Sequence, residues 1–209
     1  MSAGIYPNEG GGEPTTGHQL VHTRVVGNCD QAGLGRVMVQ IPWIEAPVAA
    51  QVAVVTAGNG RGTFFIPQVG DDVLVLIGAA PEQAAYVIGS LWTSQDVPPR
   101  RDPNAAAQVQ VIRTSCGHEV ELDDLNQSVT ITTANKQSVK LSSAGILLRT
   151  QEKEGGASLE LTAAGEVIIK GKSLLIDVDS TLDLQGGTIG LDADGVCKIK
   201  GATVRINDP

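Results

Sequence analysis

From Leu159 to the end of the chain one apolar position recurs at Leu161, Ile169, Ile176, Leu184, Leu191, Ile199 and Ile206, with spacings of 8, 7, 8, 7, 8 and 7. Two residues before each stands a second apolar residue: Leu159, Val167, Leu174, Leu182, Ile189, Cys197 and Val204. In extended backbone, residues i and i+2 project from the same face, so each unit places two side chains on one side of a short strand. Turn-compatible residues separate the pairs, among them Gly171, Gly186-Gly187, Asp194-Gly195 and Gly201. A mean repeat of 7.5 residues is too short for a helix-pair solenoid. A heptad coiled coil would not carry a glycine at nearly every repeat. Strand-plus-turn units at this interval are what a β-helix requires. Looser versions at Val120/Leu122, Val129/Ile131, Val139/Leu141 and Ile146/Leu148 extend the expected β-helix over 108–209. "QEKEGGA" (151–157) interrupts the rhythm and is expected as a surface loop.

Such units close in one of two ways. Three of them form a triangular coil within a single chain, or three chains wind together, each supplying one wall at every level. The inward set is Leu, Ile, Val and Cys alone, with no aromatic to fill a wide lumen. That favours a thin prism with a narrow dry core, which an intertwined trimer supplies. The periodicity leaves the solitary coil open.

The rest of the composition agrees with an all-β chain. There are 25 glycines in 209 residues, only 18% charged residues, and two each of Phe, Trp and Tyr. The formal net charge of −8 disfavours a nucleic-acid partner. No stretch approaches the roughly 20 apolar residues of a membrane span, so no stable membrane anchoring is expected. The N-terminal "MSAGIYPNEGGGEPTTGHQ" lacks the basic and apolar regions of an export signal. Cys29, Cys116 and Cys197 are odd in number, far apart and without a CxxC, which fits synthesis in a reducing cytoplasm.

Four segments follow. Residues 1–16 read as a flexible arm rich in Gly, Pro, Glu and Thr. Residues 17–95 hold five of the six aromatics (Trp43, Phe64, Phe65, Tyr86 and Trp92) and several β-type runs, including "GRVMVQIPWI", "AQVAVVTA", "DDVLVLIG" and "AYVIGSLW". Five or so short strands in this span suit a closed barrel of the OB type, with the aromatics expected in its core. "GNGRGTFF" (58–65) lacks the Lys-Ser/Thr of a phosphate loop and reads as a hairpin turn. Residues 96–107, opening with "DVPPRRDPN", form a Pro- and charge-rich linker to the β-helix.

Taken in order, "VVGNCDQAGLGRVMVQIPWI", "NGRGTFFIPQVGDDVLVLI", "YVIGSLW" and "DVPP" resemble the OB domain of contractile-tail spike proteins. That family includes the valine-glycine repeat (VgrG) proteins of type VI secretion, phage baseplate assembly protein V and the spikes of extracellular injection systems. "IRTSCGHEVELDD" (112–124) resembles the family's junction into its spike β-helix. The resemblance implies a homotrimeric spike, assembled into a virion or injection particle, that docks on a hub by its OB domain. Larger members carry a hub domain of several hundred residues; only 16 residues precede the barrel here, so the hub is expected as a separate protein. A PAAR-like tip protein is implied on the C-terminal end, against Thr203, Val204, Arg205, Ile206 and Asn207.

The residues argue against chemistry. His18, His22 and His118 stand in no nucleophile elbow or comparable arrangement, and Cys116 and His118 read as groups of a junction turn. No His follows His118, so a self-capped metal tip lacks its ligands. Asp177 and Asp183 alternate with inward aliphatics and lack the loop spacing of a calcium site. Catalytic, cofactor-binding and metal residues are therefore expected to be absent. The alternative is a solitary β-helix that binds or cleaves carbohydrate; the absence of any aromatic after Trp92 weighs against it.

Overall fold

A computed structural model describes residues 18–78, 84–100, 102, 107–150 and 156–206. The N-terminal arm (1–16), linker residues 101 and 103–106, loop residues 151–155 and Asn207 lie outside the described residues. The chain divides into two compact units, Met1–Thr130 and Ile131–Pro209.

The first unit opens with β1 (Gln19–Gly27), β2 (Arg36–Val39) and β3 (Val48–Val52), then a small hairpin of β4 (Ala57–Gly58) and β5 (Arg61–Gly62), then β6 (Asp72–Ile77) and β7 (Ala85–Ser90). Five of these strands close a barrel in the order β1-β2-β3-β7-β6, with β6 returning to β1. Every pairing is antiparallel except β3 with β7. This is the short Greek-key barrel of the OB type.

Strict alternation builds it. Val21, Thr23 and Val25 of β1 point inward, as do Val37 and Val39 of β2, Val73, Val75 and Ile77 of β6, and Ala85 and Val87 of β7. Ile41 and Ala50 complete an interior made of small and β-branched side chains. Each buried Val or Ile contributes about 1.5–3 kcal/mol. Thr23, polar but inward-facing, donates its hydroxyl to the Gln40 carbonyl, and no buried side-chain polar atom among the described residues is stranded without a partner.

So narrow an interior has no room for rings. The expectation that the aromatics pack the core is corrected here: Trp43, Phe64, Phe65, Tyr86 and Trp92 are all exposed. Phe64 and Phe65 are neighbours in an extended segment and so face opposite ways.

The turn from β1 to β2 is organised by Asp30. Its carboxylate accepts the amides of Ala32 (3.2 Å), Leu34 (2.8 Å) and Arg36 (3.2 Å), together with the Arg36 guanidinium at 2.8 Å. The Arg36 side chain, aided by these amides, holds the Asp30 carboxyl well below the usual carboxylate range. At the "GNGRG" hairpin Asn59-Gly60 turns the chain with Gly60 at φ +67°, as that sequence requires.

The first unit also holds the hairpin of β8 (Val109–Arg113) and β9 (Glu119–Asp123). Arg100, at the end of the Pro-rich segment, donates to Glu119 at 2.8 Å and to Glu121, both on β9. Arg113 stands 3.6 Å from the other oxygen of Glu119. The Arg100 guanidinium thus lashes the segment after the barrel to β9, while Arg113 links β8 to the same carboxylate.

The division between units falls inside β10 (Ser128–Thr132). The second unit continues with β11 (Ser138–Ser142), β12 (Gly145–Arg149), β13 (Ser158–Thr162) and β14 (Val167–Lys170). These four pair in chain order, each antiparallel to the next. Here the observation differs from coils wound from 108 onward: as far as Lys170 the chain pairs with itself in hairpins. The reason lies in the reversals, where Gly117, Gln127, Lys136, Gly145 and Gly165 take positive φ and double the chain back. Among the described residues from 171 to 206 no strand is formed, and all are exposed.

Gly145 is the tightest of these points. It sits at φ +133° and a Cβ there would overlap the carbonyl oxygen of Leu161 on the neighbouring strand. Gly145→Ala is expected to cost about 1–3 kcal/mol. Thermal unfolding should show the loss, whereas Gly165→Ala, with open space around its Cβ, should show a smaller one.

Candidate functional site: an apolar assembly face

The second unit presents one apolar face. Strand register sets Val139 opposite Leu148, Leu148 opposite Leu159, and Leu159 opposite Ile169. A second row runs Leu141, Ile146, Leu161, Val167 by the same pairings. Since the two rows are two residues apart along every strand, all eight side chains share a face. The opposite face carries Lys140, Leu147, Glu160 and Ile168 in one row and Ser138, Arg149, Ser158 and Lys170 in the next.

Directly opposed aliphatics stabilise a sheet from one side only. Nothing in the same chain covers the rows completely: Leu148 is 38% exposed, Leu161 37% and Ile169 58%. A groove of about 570 Å³ runs over Val139, Leu148, Leu159 and Ile169, with Leu174 at its edge.

The rhythm continues past the last strand. Leu174, Ile176, Leu182, Leu184, Ile189, Leu191, Ile199, Val204 and Ile206 are each between 50% and 79% exposed, and Cys197 is exposed with them. Thr203 and Arg205, expected beside the tip, are exposed too. Exposed aliphatic side chains in such number are the kind of surface that interaction sites use.

Among the described residues no group of three or more His, Cys, Asp or Glu could hold a metal ion. Cys29, Cys116 and Cys197 are exposed free thiols. No helix among the described residues is long and apolar enough to cross a membrane.

The barrel carries a second feature that sequence reasoning missed. Asp72, 8% exposed at the start of β6, accepts from Arg24 at 3.0 Å and lies 3.1 Å from the His22 ring nitrogen. Arg24 is its cross-strand partner. Hydrogen bonding to Arg24 holds the Asp72 carboxyl below its ordinary value, against the opposing effect of burial. Beside it a crevice of about 450 Å³ is lined by Phe65, Pro67, Leu91 and Trp92, with Asp71 and Asp96 on its walls. The adjacent aromatics of "GTFF" were the available signal, because two successive residues of an extended segment cannot both point into one core.

Residues 21–92 match the family model of the type VI secretion system/phage-baseplate injector OB domain. The match begins within β1 and ends just beyond β7, so it spans the closed barrel. A comparison with curated proteins finds no match. The barrel is therefore similar to the OB domains of baseplate injectors, which supports a baseplate-associated role.

The Asp72 pairing has a pH signature. Its folded-state pKa is lowered, so its contribution is present above the unfolded carboxylate value near ~4 and is lost as pH falls below it. Asp72→Asn should lower the melting temperature at pH 7, and the gap from the parent protein should close toward pH 3.

Proposed function

We propose that this protein is the central spike of a contractile injection system or phage-tail baseplate, a non-enzymatic homotrimer whose chain has an OB domain followed in sequence by a β-helix. One observation carries the reading. The aliphatic rows of β11–β14 and the 8-7 repeat beyond them are laid out in regular order and left open to solvent in the single chain. A second and third copy around a threefold axis would cover them with identical rows. The match of the barrel to baseplate injector OB domains supplies the setting.

On this reading the work is mechanical. The OB barrel docks the trimer on a hub at the tube end. Sheath contraction drives the assembly forward, and the prism carries axial load into the target envelope. Backbone hydrogen bonds between successive strands run along the prism and resist compression, while interlocked aliphatics resist shear. Each buried Leu, Ile or Val adds on the order of 1.5–3 kcal/mol. Repeated at every level in three chains, this makes unfolding slow, and the stability is kinetic. Thr203, Val204, Arg205, Ile206 and Asn207 would receive a PAAR-like tip protein. Outward charges such as Asp177, Asp183 and Lys198 discourage sideways association.

Light scattering tests the reading. A mass near three times 21.7 kDa, stable in unheated SDS, is the expected result; a monodisperse monomer would return the solitary β-helix that binds or cleaves carbohydrate.

Register within the prism is tested by two neighbouring substitutions. Cys197→Asp places three unpartnered carboxyls at one level of the core and should abolish resistance to SDS and heat at neutral pH. Lys198→Asp, on the outer face, should leave both intact. Equal behaviour of the two variants would refute the inward placement of Cys197.

A further inference from the structure

We infer that the β11–β14 sheet is the element that sets the axial register of the three chains, and that the repeat after it follows without specifying a register of its own. The inference rests on the trimeric reading above and concerns which surface, among those that meet, decides how the copies align.

The repeat is ambiguous by construction. Displace one chain by fifteen residues, one 8 plus one 7, and Leu174 falls where Ile189 was, Ile176 on Leu191, Leu182 on Cys197, Leu184 on Ile199, Ile189 on Val204, and Leu191 on Ile206. Every inward position remains apolar. Nor do the described residues from 171 to 206 pair as strands within the chain, so no internal hydrogen-bond ladder pins their level. A pattern that matches itself after a shift specifies register weakly.

The sheet before it has the opposite properties. Its four strands form one hydrogen-bonded block, so displacing one copy by two strand levels would uncover half of each aliphatic row. In-chain pairing fixes every opposition along both rows, from Val139–Leu148 to Leu161–Val167. Gly145 closes the β12–β13 contact so tightly that it permits no side chain. Each copy therefore presents the same preformed surface. Three such surfaces meeting about a threefold axis bring equal residues to equal heights.

The occupant of this face is a second copy of the chain, and continuity argues for it. Leu159/Leu161 and Val167/Ile169 are at once the last two strands of the sheet and the first two units of the repeat. Whatever covers the rows on the sheet must also cover the aliphatics that continue them. The alignment set on the sheet is handed on with no break in phase.

The experiment sets the two elements against each other. Full-length chains carrying Cys29→Ser, Cys116→Ser, Cys197→Val and Lys198→Cys are co-expressed with the same chain lacking residues 174–188, each with its own affinity tag. Mixed trimers are isolated through both tags and labelled with a nitroxide at position 198, and interspin distances are measured by double electron–electron resonance.

If the sheet sets the register, the labels of long and short chains stand apart by two strand spacings along the axis, ~10 Å. Two distances then appear where the unmixed full-length trimer gives one. Labels at a single distance in mixed trimers would mean that the C-terminal end aligns the chains, and would overturn the inference while leaving the trimer standing. Failure to form mixed trimers would overturn it as well, since the two chains share the whole sheet. A monomeric mass for the full-length protein would instead remove the reading on which the inference depends.

Discussion

An aliphatic side chain on an extended strand needs a second surface, and where that surface comes from differs between the two parts of this chain. In the barrel it comes from the same chain. Inward residues of β1, β2, β6 and β7 meet across a core only one side chain deep, and Val39, Val73 and Val75 are fully buried. In β11–β14 and beyond, the same period-2 pattern produces rows that the described residues of the chain cover only in part. Closure supplies the first part with its own interior. The second part remains an open surface, and the proposed trimer would give it its other half.

The barrel could be read from residues because its signals are local. Alternating Val and Leu in "DDVLVLI" and "GRVMVQI", with Gly and Asp at the turns, suffice to place strands. The exposed aromatics could not be read in this way, since proximity to apolar residues does not say which side of a narrow sheet a ring takes. The Asp72 cluster was hidden for another reason. It depends on β1 pairing with β6 across 50 residues, and only the closed topology puts His22 and Arg24 beside that carboxylate.

The second unit was legible in period and not in winding. The rows at Leu159/Leu161 and Val167/Ile169 follow from counting. Whether the strands that carry them run as coils or as hairpins is decided at the reversals. Two of those turn on Gln127 and Lys136 at positive φ, residue types that give no hint of a left-handed conformation. A glycine at such a place announces a turn; a lysine does not.

On the trimeric reading proposed above, the long exposed tract after Lys170 has a consequence for how the protein must be made. A barrel whose partners lie within its first hundred residues folds as soon as it leaves the ribosome, at any copy number. A tract whose aliphatics find cover only on other molecules stays adhesive until those molecules arrive. Its completion is a collision process, faster where several copies emerge side by side from one message and slower as the chain is diluted. The charged residues spaced through it, from Lys172 and Asp177 to Asp194 and Lys200, are then guards for the interval between synthesis and assembly. Crowding of identical nascent chains, ordinarily a hazard for exposed β-structure, becomes the condition under which this one is finished.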